Sequence, residues 1–256
     1  MWKVWLNPFR LLYCLYALLL FIAGMLCVLP FVAVFSLQGA IKGGNRIYRV
    51  CRWWDSAWLF LVGIRTRLMA AEIVDPSRPY VFVSNHISYL DIPMILQAVK
   101  RDSFRILGKV ELSRVPLFGY IYSRAVVMVD RRSYRDRSRS IHDLKTILAD
   151  ELSVFIFPEG TFNETGKPLK DFYDGAFRIA IEMQTPVQPM LFLDTYDRMS
   201  YSTIFSLCPG RSRVVFLPTV AVEGIENVEV LKEVVFAVME EGIRTYGGSW
   251  IPPARG

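Results

Sequence analysis

The chain has 256 residues, a hydrophobic content of 53% and a formal net charge of +6. This length allows one α/β domain with a sizeable core plus an apolar segment, and four cysteines without paired spacing exclude a disulfide framework and indicate a reducing, cytoplasmic environment. The positive charge is compatible with nucleic acid, an anionic membrane or an acidic substrate, because net charge reports on partners and not on fold.

The first predicted element is the apolar segment from Leu11 to Ile41, which contains no charged residue. It exceeds the roughly 20 apolar residues needed to cross a bilayer core. Tryptophans and basic residues flank it, as expected at headgroup level, and the richer positive charge on its C-terminal side favours a body on the cytoplasmic face. A cleaved signal peptide is the alternative, but the apolar run is too long for one.

A second segment, Arg52 to Leu68, is rich in aromatic residues and has arginines near both ends. This composition predicts a helix that lies at the membrane interface, with an ordinary core helix as the alternative. We therefore assign residues 1–68 to a membrane anchor, either transmembrane or monotopic, and residues 69–256 to the catalytic domain.

Beyond the anchor, short β-branched and aromatic runs alternate with amphipathic stretches, which predicts an α/β fold with a sheet flanked by helices. Strands are predicted at Tyr80–Ser84, Phe104–Leu107, Ala125–Val129, Val154–Phe157, Val187–Phe192 and Val214–Pro218. Helices are predicted at Tyr89–Val99, Tyr134–Glu151, Phe172–Met183 and Val228–Tyr246.

His86 follows a predicted strand directly, and Asp91 comes five residues later. Strand ends are where α/β sheets place their ligand sites. The carboxylate can orient one ring nitrogen while the other takes a hydroxyl proton, so an alcohol could attack an activated thioester without a serine or cysteine nucleophile. A lone histidine is also commonly structural. The chain has only two histidines and no cysteine cluster, so the sequence does not indicate a catalytic metal site.

Two further groups of residues suit the binding of an anion. In Phe157–Thr161, a glycine permits close backbone approach, the amides and the Thr161 hydroxyl can donate, and Glu159 can order a hydroxyl or a basic side chain. Lys109 and Arg131 follow other predicted strands and can hold a phosphate. The aromatic residues are concentrated in the anchor and in the predicted strands and are not interleaved with the basic residues as a stacking platform requires, which argues against nucleic acid as a partner.

Four blocks in order resemble the motifs of the 1-acyl-glycerol-3-phosphate acyltransferases. The sequence Asn-His-x-Ser-x-x-Asp at residues 85–91 resembles the His-x4-Asp motif of this family. The second block is similar in Lys109, Glu111, Leu112, Pro116, Gly119 and Arg131, the third is Phe157–Thr161, and the fourth is Val187-Gln188-Pro189.

The resemblance implies a mixed α/β sheet and the transfer of a fatty acyl group from acyl-CoA or acyl-carrier protein to the sn-2 hydroxyl of lysophosphatidic acid, a membrane lipid. The product would be phosphatidic acid, formed at the cytoplasmic face with no cofactor beyond the thioester co-substrate. His86 and Asp91 are the implied catalytic residues. The implied substrate-binding residues are Asn85, Ser88, Lys109, Arg131, Glu159, Gly160, Thr161 and Pro189.

The third block departs from the family pattern, which continues Glu-Gly-Thr-Arg-Ser. This chain has Phe162 and Asn163 instead, so a cation expected near the acceptor phosphate is absent. Either another basic residue replaces it, or the acceptor is a lyso-lipid without phosphate, such as a lyso-aminolipid. A non-catalytic lipid-binding protein with the same fold is a third possibility, against which the presence of His86 and Asp91 argues.

Overall fold

A single seven-stranded sheet organises the part of the chain that the computed structural model describes, residues 8–70, 75, 77–99, 104–130 and 133–250. Its strands are β1 (Ile64–Ala70), β2 (Val81–Ser84), β3 (Phe104–Lys109), β4 (Val126–Val129), β5 (Ser153–Ile156), β6 (Val187–Phe192) and β7 (Gly210–Phe216). They lie in the order β1-β7-β6-β2-β5-β3-β4. The five strands from β6 to β4 are mutually parallel, whereas β7 is antiparallel to β6 and parallel to β1. The carboxyl ends of five strands therefore share one edge of the sheet.

Helices cover both faces of this sheet. They are α1 (Pro8–Ser36), α2 (Lys42–Leu61), α3 (Asp91–Ala98), α4 (Phe118–Ala125), α5 (Tyr134–Ala149), α6 (Gly175–Glu182), α7 (Thr195–Arg198) and α8 (Val228–Tyr246). Central strand β2 is buried along its whole length, with Val81 and Val83 in the core shared with α5, α6 and α8. Phe82 faces the core shared with α1, α2 and α3. This alternation follows because successive strand side chains point to opposite faces.

The two N-terminal helices pack on each other and on the sheet. The Trp58 indole of α2 donates to the Ala17 carbonyl of α1 at 2.8 Å, and the Tyr48 hydroxyl donates to the Ala125 carbonyl at 2.8 Å. Buried Arg105 of β3 donates to the carbonyls of Ala40 and Ile41, between the two helices, at 2.9 and 3.2 Å. These contacts fix the N-terminal helices to the catalytic sheet.

The outer side of α1 is apolar and exposed. Within the described ranges, α1 is the helix that is long and apolar enough to cross a membrane. Only 17% of its most apolar 18-residue stretch is buried. Its exposed side chains include Phe9, Leu12, Leu19, Leu26, Phe31 and Val34, and Trp53 and Phe60 of α2 are exposed as well. Contiguous apolar surface of this kind is typical of membrane or protein contact.

The predicted helix over Arg52–Leu68 is wrong beyond residue 61. Helix α2 ends at Leu61, and Gly63 adopts a φ of 70°, a left-handed conformation that glycine accommodates and that ends the helix. Residues Ile64–Ala70 form strand β1, in which Leu68 pairs with Val214 of β7. The arginines at 65 and 67 alternate with less polar residues, which is a strand period. The predicted domain boundary after residue 68 thus falls inside a strand.

The predicted mixed α/β class is confirmed, and the six predicted strands correspond to β2 to β7. The largest difference among them is in β7, which begins at Gly210, four residues before the predicted start. Helix α4 was not predicted, because it lies inside the second motif block and has only 8 residues, too few for a clear helical period.

Candidate active site

His86 and Asp91 form a hydrogen-bonded pair at the shared carboxyl edge of the parallel strands. His86 lies two residues beyond the end of β2, and Asp91 is the first residue of α3. The His86 Nδ1 and the Asp91 Oδ2 are 2.8 Å apart. The His86 side chain is 18% exposed, while that of Asp91 is completely buried. The turn between strand and helix thus brings together the two residues predicted to be catalytic.

Three further donors hold the Asp91 carboxylate. The backbone N–H groups of Ile87 and Ser88 donate to Oδ2 at 2.7 and 2.9 Å, and the Thr195 hydroxyl donates to Oδ1 at 2.6 Å. Because an ionised carboxylate only accepts, we assign the ring proton of His86 to Nδ1. Nε2 is then the ring nitrogen that can take a proton from a substrate hydroxyl.

Two aromatic side chains pack against the His86 ring. Phe157 stacks on it with ring centroids 3.9 Å apart and an interplanar angle of 19°. Phe162 lies at 4.3 Å and 46°, and itself contacts Tyr89 at 5.0 Å and Tyr201 at 5.8 Å. These rings restrict the orientation of the imidazole and keep bulk water from most of it.

Glu159 lies beside His86, on the loop that follows neighbouring strand β5. Its side chain is completely buried, and its Oε1 accepts a long hydrogen bond of 3.4 Å from the His86 backbone N–H. Its Oε2 has no hydrogen-bond partner among the described residues. Burial raises the pKa of Glu159 to about 8, so the carboxyl is mostly protonated at neutral pH and can donate a hydrogen bond.

The loop after Glu159 continues around the catalytic pair. Gly160 has a φ of 72°, and a Cβ at this position would lie 2.7 Å from the Tyr173 ring. The Thr161 hydroxyl accepts from the Lys170 ammonium at 2.6 Å. The Asn163 backbone N–H donates to the His86 carbonyl at 2.7 Å, which ties the loop to the histidine.

Three predicted substrate-binding residues are buried and bonded within the protein. The Asn85 side chain donates to the Phe192 carbonyl and accepts from the Phe192 N–H, both at 2.9 Å. The Ser88 hydroxyl donates to the Met199 carbonyl and accepts from the Leu90 N–H. Pro189 lies inside β6, next to Val83 of β2. The observed contacts of all three hold the strands and turns that carry His86, and a contact with substrate stays a prediction.

The two predicted phosphate-binding cations follow β3 and β4. Lys109 ends β3, its side chain is 56% exposed, and its ammonium lies 3.6 Å from the Glu111 Oε1. Its register partner, Val129, ends β4, and Arg131 lies outside the described residues. Lys109 is on the same edge as His86, because β3, β5 and β2 are adjacent and parallel.

Sequence reasoning missed several members of the site. Thr195 begins α7 three residues after the last residue of β6, so its place near a strand end was the available signal. Phe157 was identified only as part of a motif, and Phe162 only as a departure from the family pattern. Lys170 carried no signal, because its contact with Thr161 depends on the path of the intervening loop.

The arrangement is suited to proton transfer from a bound hydroxyl. It combines an oriented imidazole, a buried anion that stabilises the protonated ring, and a neighbouring carboxyl that can donate. Within the described part of the chain, no three His, Cys, Asp or Glu side chains form a group that could hold a metal ion.

Comparison with known proteins agrees with this geometry. The chain is 32% identical over 168 residues to mouse (Mus musculus) 1-acyl-sn-glycerol-3-phosphate acyltransferase alpha, covering 65% of this chain and 58% of the mouse protein. It is 33% identical over 138 residues to a chloroplastic 1-acyl-sn-glycerol-3-phosphate acyltransferase of Arabidopsis thaliana, covering 54% of this chain and 38% of the plant protein. The chain therefore spans less than two thirds of the length of these curated relatives.

A solved structure shares the fold. The crystal structure of the 1-acyl-sn-glycerophosphate (LPA) acyltransferase PlsC from Thermotoga maritima matches with a TM-score of 0.74 at 23% identity, over 95% of this chain and 100% of that one. Residues 65–193 match the family described as Acyltransferase. The match includes His86, Asp91 and the Glu159 loop, and it extends over half of the 256 residues. This protein therefore belongs to the acyltransferase family.

Proposed function

We propose that this protein transfers a fatty acyl group from acyl-CoA or acyl-carrier protein to the sn-2 hydroxyl of lysophosphatidic acid, giving phosphatidic acid. The observation that carries the proposal is the His86–Asp91 pair, 2.8 Å apart, with Asp91 buried on three further donors. The names of the curated relatives, which are 1-acyl-sn-glycerol-3-phosphate acyltransferases, support this choice of acceptor.

In the proposed reaction, the Nε2 of His86 takes the proton of the acceptor hydroxyl as its oxygen attacks the thioester carbonyl. Asp91 stabilises the imidazolium that forms. The tetrahedral intermediate then collapses, the carbon–sulfur bond breaks, and the leaving thiolate takes the proton back from His86. An ester and a free thiol result, so the reaction requires no oxidant or reductant.

The exposed apolar side of α1 supports a location at a membrane. The acceptor keeps its long acyl chain in the lipid while its head group enters the site, so an anchor fixed to the catalytic sheet shortens the path between them. We propose that the catalytic domain lies at the cytoplasmic face, as the basic residues that follow Ile41 favour.

Phe162 supports a second candidate acceptor, a lyso-lipid without phosphate such as a lyso-aminolipid. It occupies the position where the family pattern has arginine, and it packs on the His86 ring. An aromatic side chain there provides apolar contact in place of a charge.

One assay separates these functions. Purified protein in mixed micelles is incubated with labelled acyl-CoA or acyl-carrier protein and with lysophosphatidic acid, monoacylglycerol or a lyso-aminolipid. We expect the highest kcat/KM with lysophosphatidic acid, no transfer by His86→Ala, and unchanged transfer by His142→Ala, which alters an exposed histidine of α5. Preferred acylation of the lyso-aminolipid would favour the second candidate, and normal turnover by His86→Ala would refute the mechanism.

A further inference from the structure

Lys170 lies on the loop that follows β5, and it interacts with Thr161 and Glu159 of the same loop. Its ammonium donates to the Thr161 hydroxyl at 2.6 Å. Both its charge and its backbone amide act on the Glu159 carboxyl, two residues before Thr161. Glu159 in turn accepts from the backbone of His86. These interactions connect Lys170, through Glu159, to the residue that bears the proposed base.

This position suits the acceptor phosphate on simple chemical grounds. In lysophosphatidic acid the phosphate is attached to the carbon next to the one that carries the reacting hydroxyl. When that hydroxyl is at His86, the phosphate must therefore lie within a short distance of it. Lys170 and Thr161 provide an ammonium and a hydroxyl on the neighbouring loop, a pair of donors that a phosphate can bind.

The charges around the loop allow a dianion to approach. Burial keeps Glu159 mostly protonated at neutral pH, so this carboxyl does not repel a phosphate. Phe162, which stands beside Thr161, contacts aromatic rings and offers no charge. The charged side chains that follow on this loop include those of Glu164, Lys167, Lys170 and Asp171, and the Lys170 ammonium contacts Thr161.

We propose that Lys170 binds the phosphate of the acceptor lipid and sets the preference of the enzyme for a phosphorylated lyso-lipid. The inference rests on the proposed function, because it requires lysophosphatidic acid as acceptor. Lys170 then supplies the cation that the family pattern provides as arginine at position 162, where this chain has phenylalanine.

The test compares Lys170→Met with wild type in mixed micelles of fixed composition, using acyl-CoA with lysophosphatidic acid or monoacylglycerol. Loss of a charge-assisted contact should raise the KM for lysophosphatidic acid about tenfold or more, with little change in kcat. The preference for lysophosphatidic acid over monoacylglycerol should fall by the same factor. Lys170→Arg, which keeps the charge, should restore most of that preference.

Lys145→Met is the matched control for the loss of one positive charge, because Lys145 of α5 pairs with Glu182 at the end of α6 and not with the Glu159–Lys170 loop. An unchanged KM for lysophosphatidic acid in Lys170→Met, or a rise only in the KM for acyl-CoA, would overturn the inference while leaving the proposed function intact. Failure of wild type to acylate lysophosphatidic acid would refute the proposed function itself. If Lys170→Met does not fold, Lys170→Gln gives the same comparison, since its amide can still donate to Thr161.

Discussion

Replacing Asp91 by asparagine separates the charge of this residue from its geometry. The Oδ2 position receives the ring N–H of His86 and the backbone N–H groups of Ile87 and Ser88. An amide NH2 placed there would face three donors, so the asparagine oxygen must occupy it. The NH2 group then points at the Thr195 hydroxyl, which can turn to accept. Asp91→Asn should therefore keep the His86 tautomer and lose only the negative charge.

The size of the loss follows from the attraction between Asp91 and protonated His86. Two opposite charges about 4 Å apart attract by about 4 kcal/mol at an effective dielectric constant near 20. The asparagine dipole recovers part of this, and each factor of ten in rate corresponds to about 1.4 kcal/mol. We expect kcat to fall roughly 100- to 1,000-fold, less than the roughly 10,000-fold fall seen where the same change also gives the wrong tautomer.

The assay is steady-state acyl transfer with lysophosphatidic acid and acyl-CoA, with thermal unfolding as the check on folding. Thr195→Val is the matched control, because it removes one donor to Asp91 and leaves the charge in place. It should cost about 1–3 kcal/mol of stability but less than tenfold in kcat. A loss below tenfold in Asp91→Asn would show that the charge is not used. A loss as complete as that of His86→Ala would show that the backbone amides do not preserve the ring orientation.

Three other changes test the surroundings of the pair and the anchor. The pKa of Glu159 is raised from 4.5 to about 8 in the folded protein, so between these pH values the folded state binds more protons than the unfolded state. The stability of wild type should therefore fall relative to that of Glu159→Gln as the pH rises from about 5 to 8. Melting temperatures of the two proteins that change in parallel with pH would contradict the burial argument. Gly160→Ala should lower the free energy of unfolding by about 1–2 kcal/mol because Gly160 has a φ of 72°. Adding Tyr173→Ala should restore little of this stability, whereas full recovery would mean that contact with the Tyr173 ring is the cause of the loss. The double variant Leu19→Lys, Phe31→Lys should bind lipid vesicles more weakly in a flotation assay without a lower melting temperature, since both side chains are more than half exposed. Undiminished binding would mean that another surface makes the membrane contact.

Much of the catalytic pair was predictable from local sequence. The buried strand that ends at Ser84 is a largely apolar run, and the four residues between His86 and Asp91 form one turn into a helix. A contact over so short a separation depends on local geometry more than on the rest of the fold. The same holds for Gly160, whose backbone freedom the turn after β5 requires.

The role of the N-terminal region was only partly predictable. Composition indicated an apolar anchor, but the second segment was assigned wholly to a helix, because its apolar and basic residues are compatible with both a helical face and an edge strand. Pairing of Leu68 with Val214, which is far away in the chain, decides in favour of the strand. Long-range pairing of this kind leaves little trace in the local pattern.

The sequence alone determined the α/β class, the order of the motifs and the identity of the proposed base with its carboxylate partner, because each depends on residues close together along the chain. The tertiary structure decided which distant groups complete the site. Thr195 bonds to Asp91 across 104 residues, Phe162 packs against the imidazole, and Lys170 reaches Thr161 only through the path of its loop. The physical reason is that adjacent parallel strands bring their carboxyl ends to one edge of the sheet, whatever the distance between them in the chain.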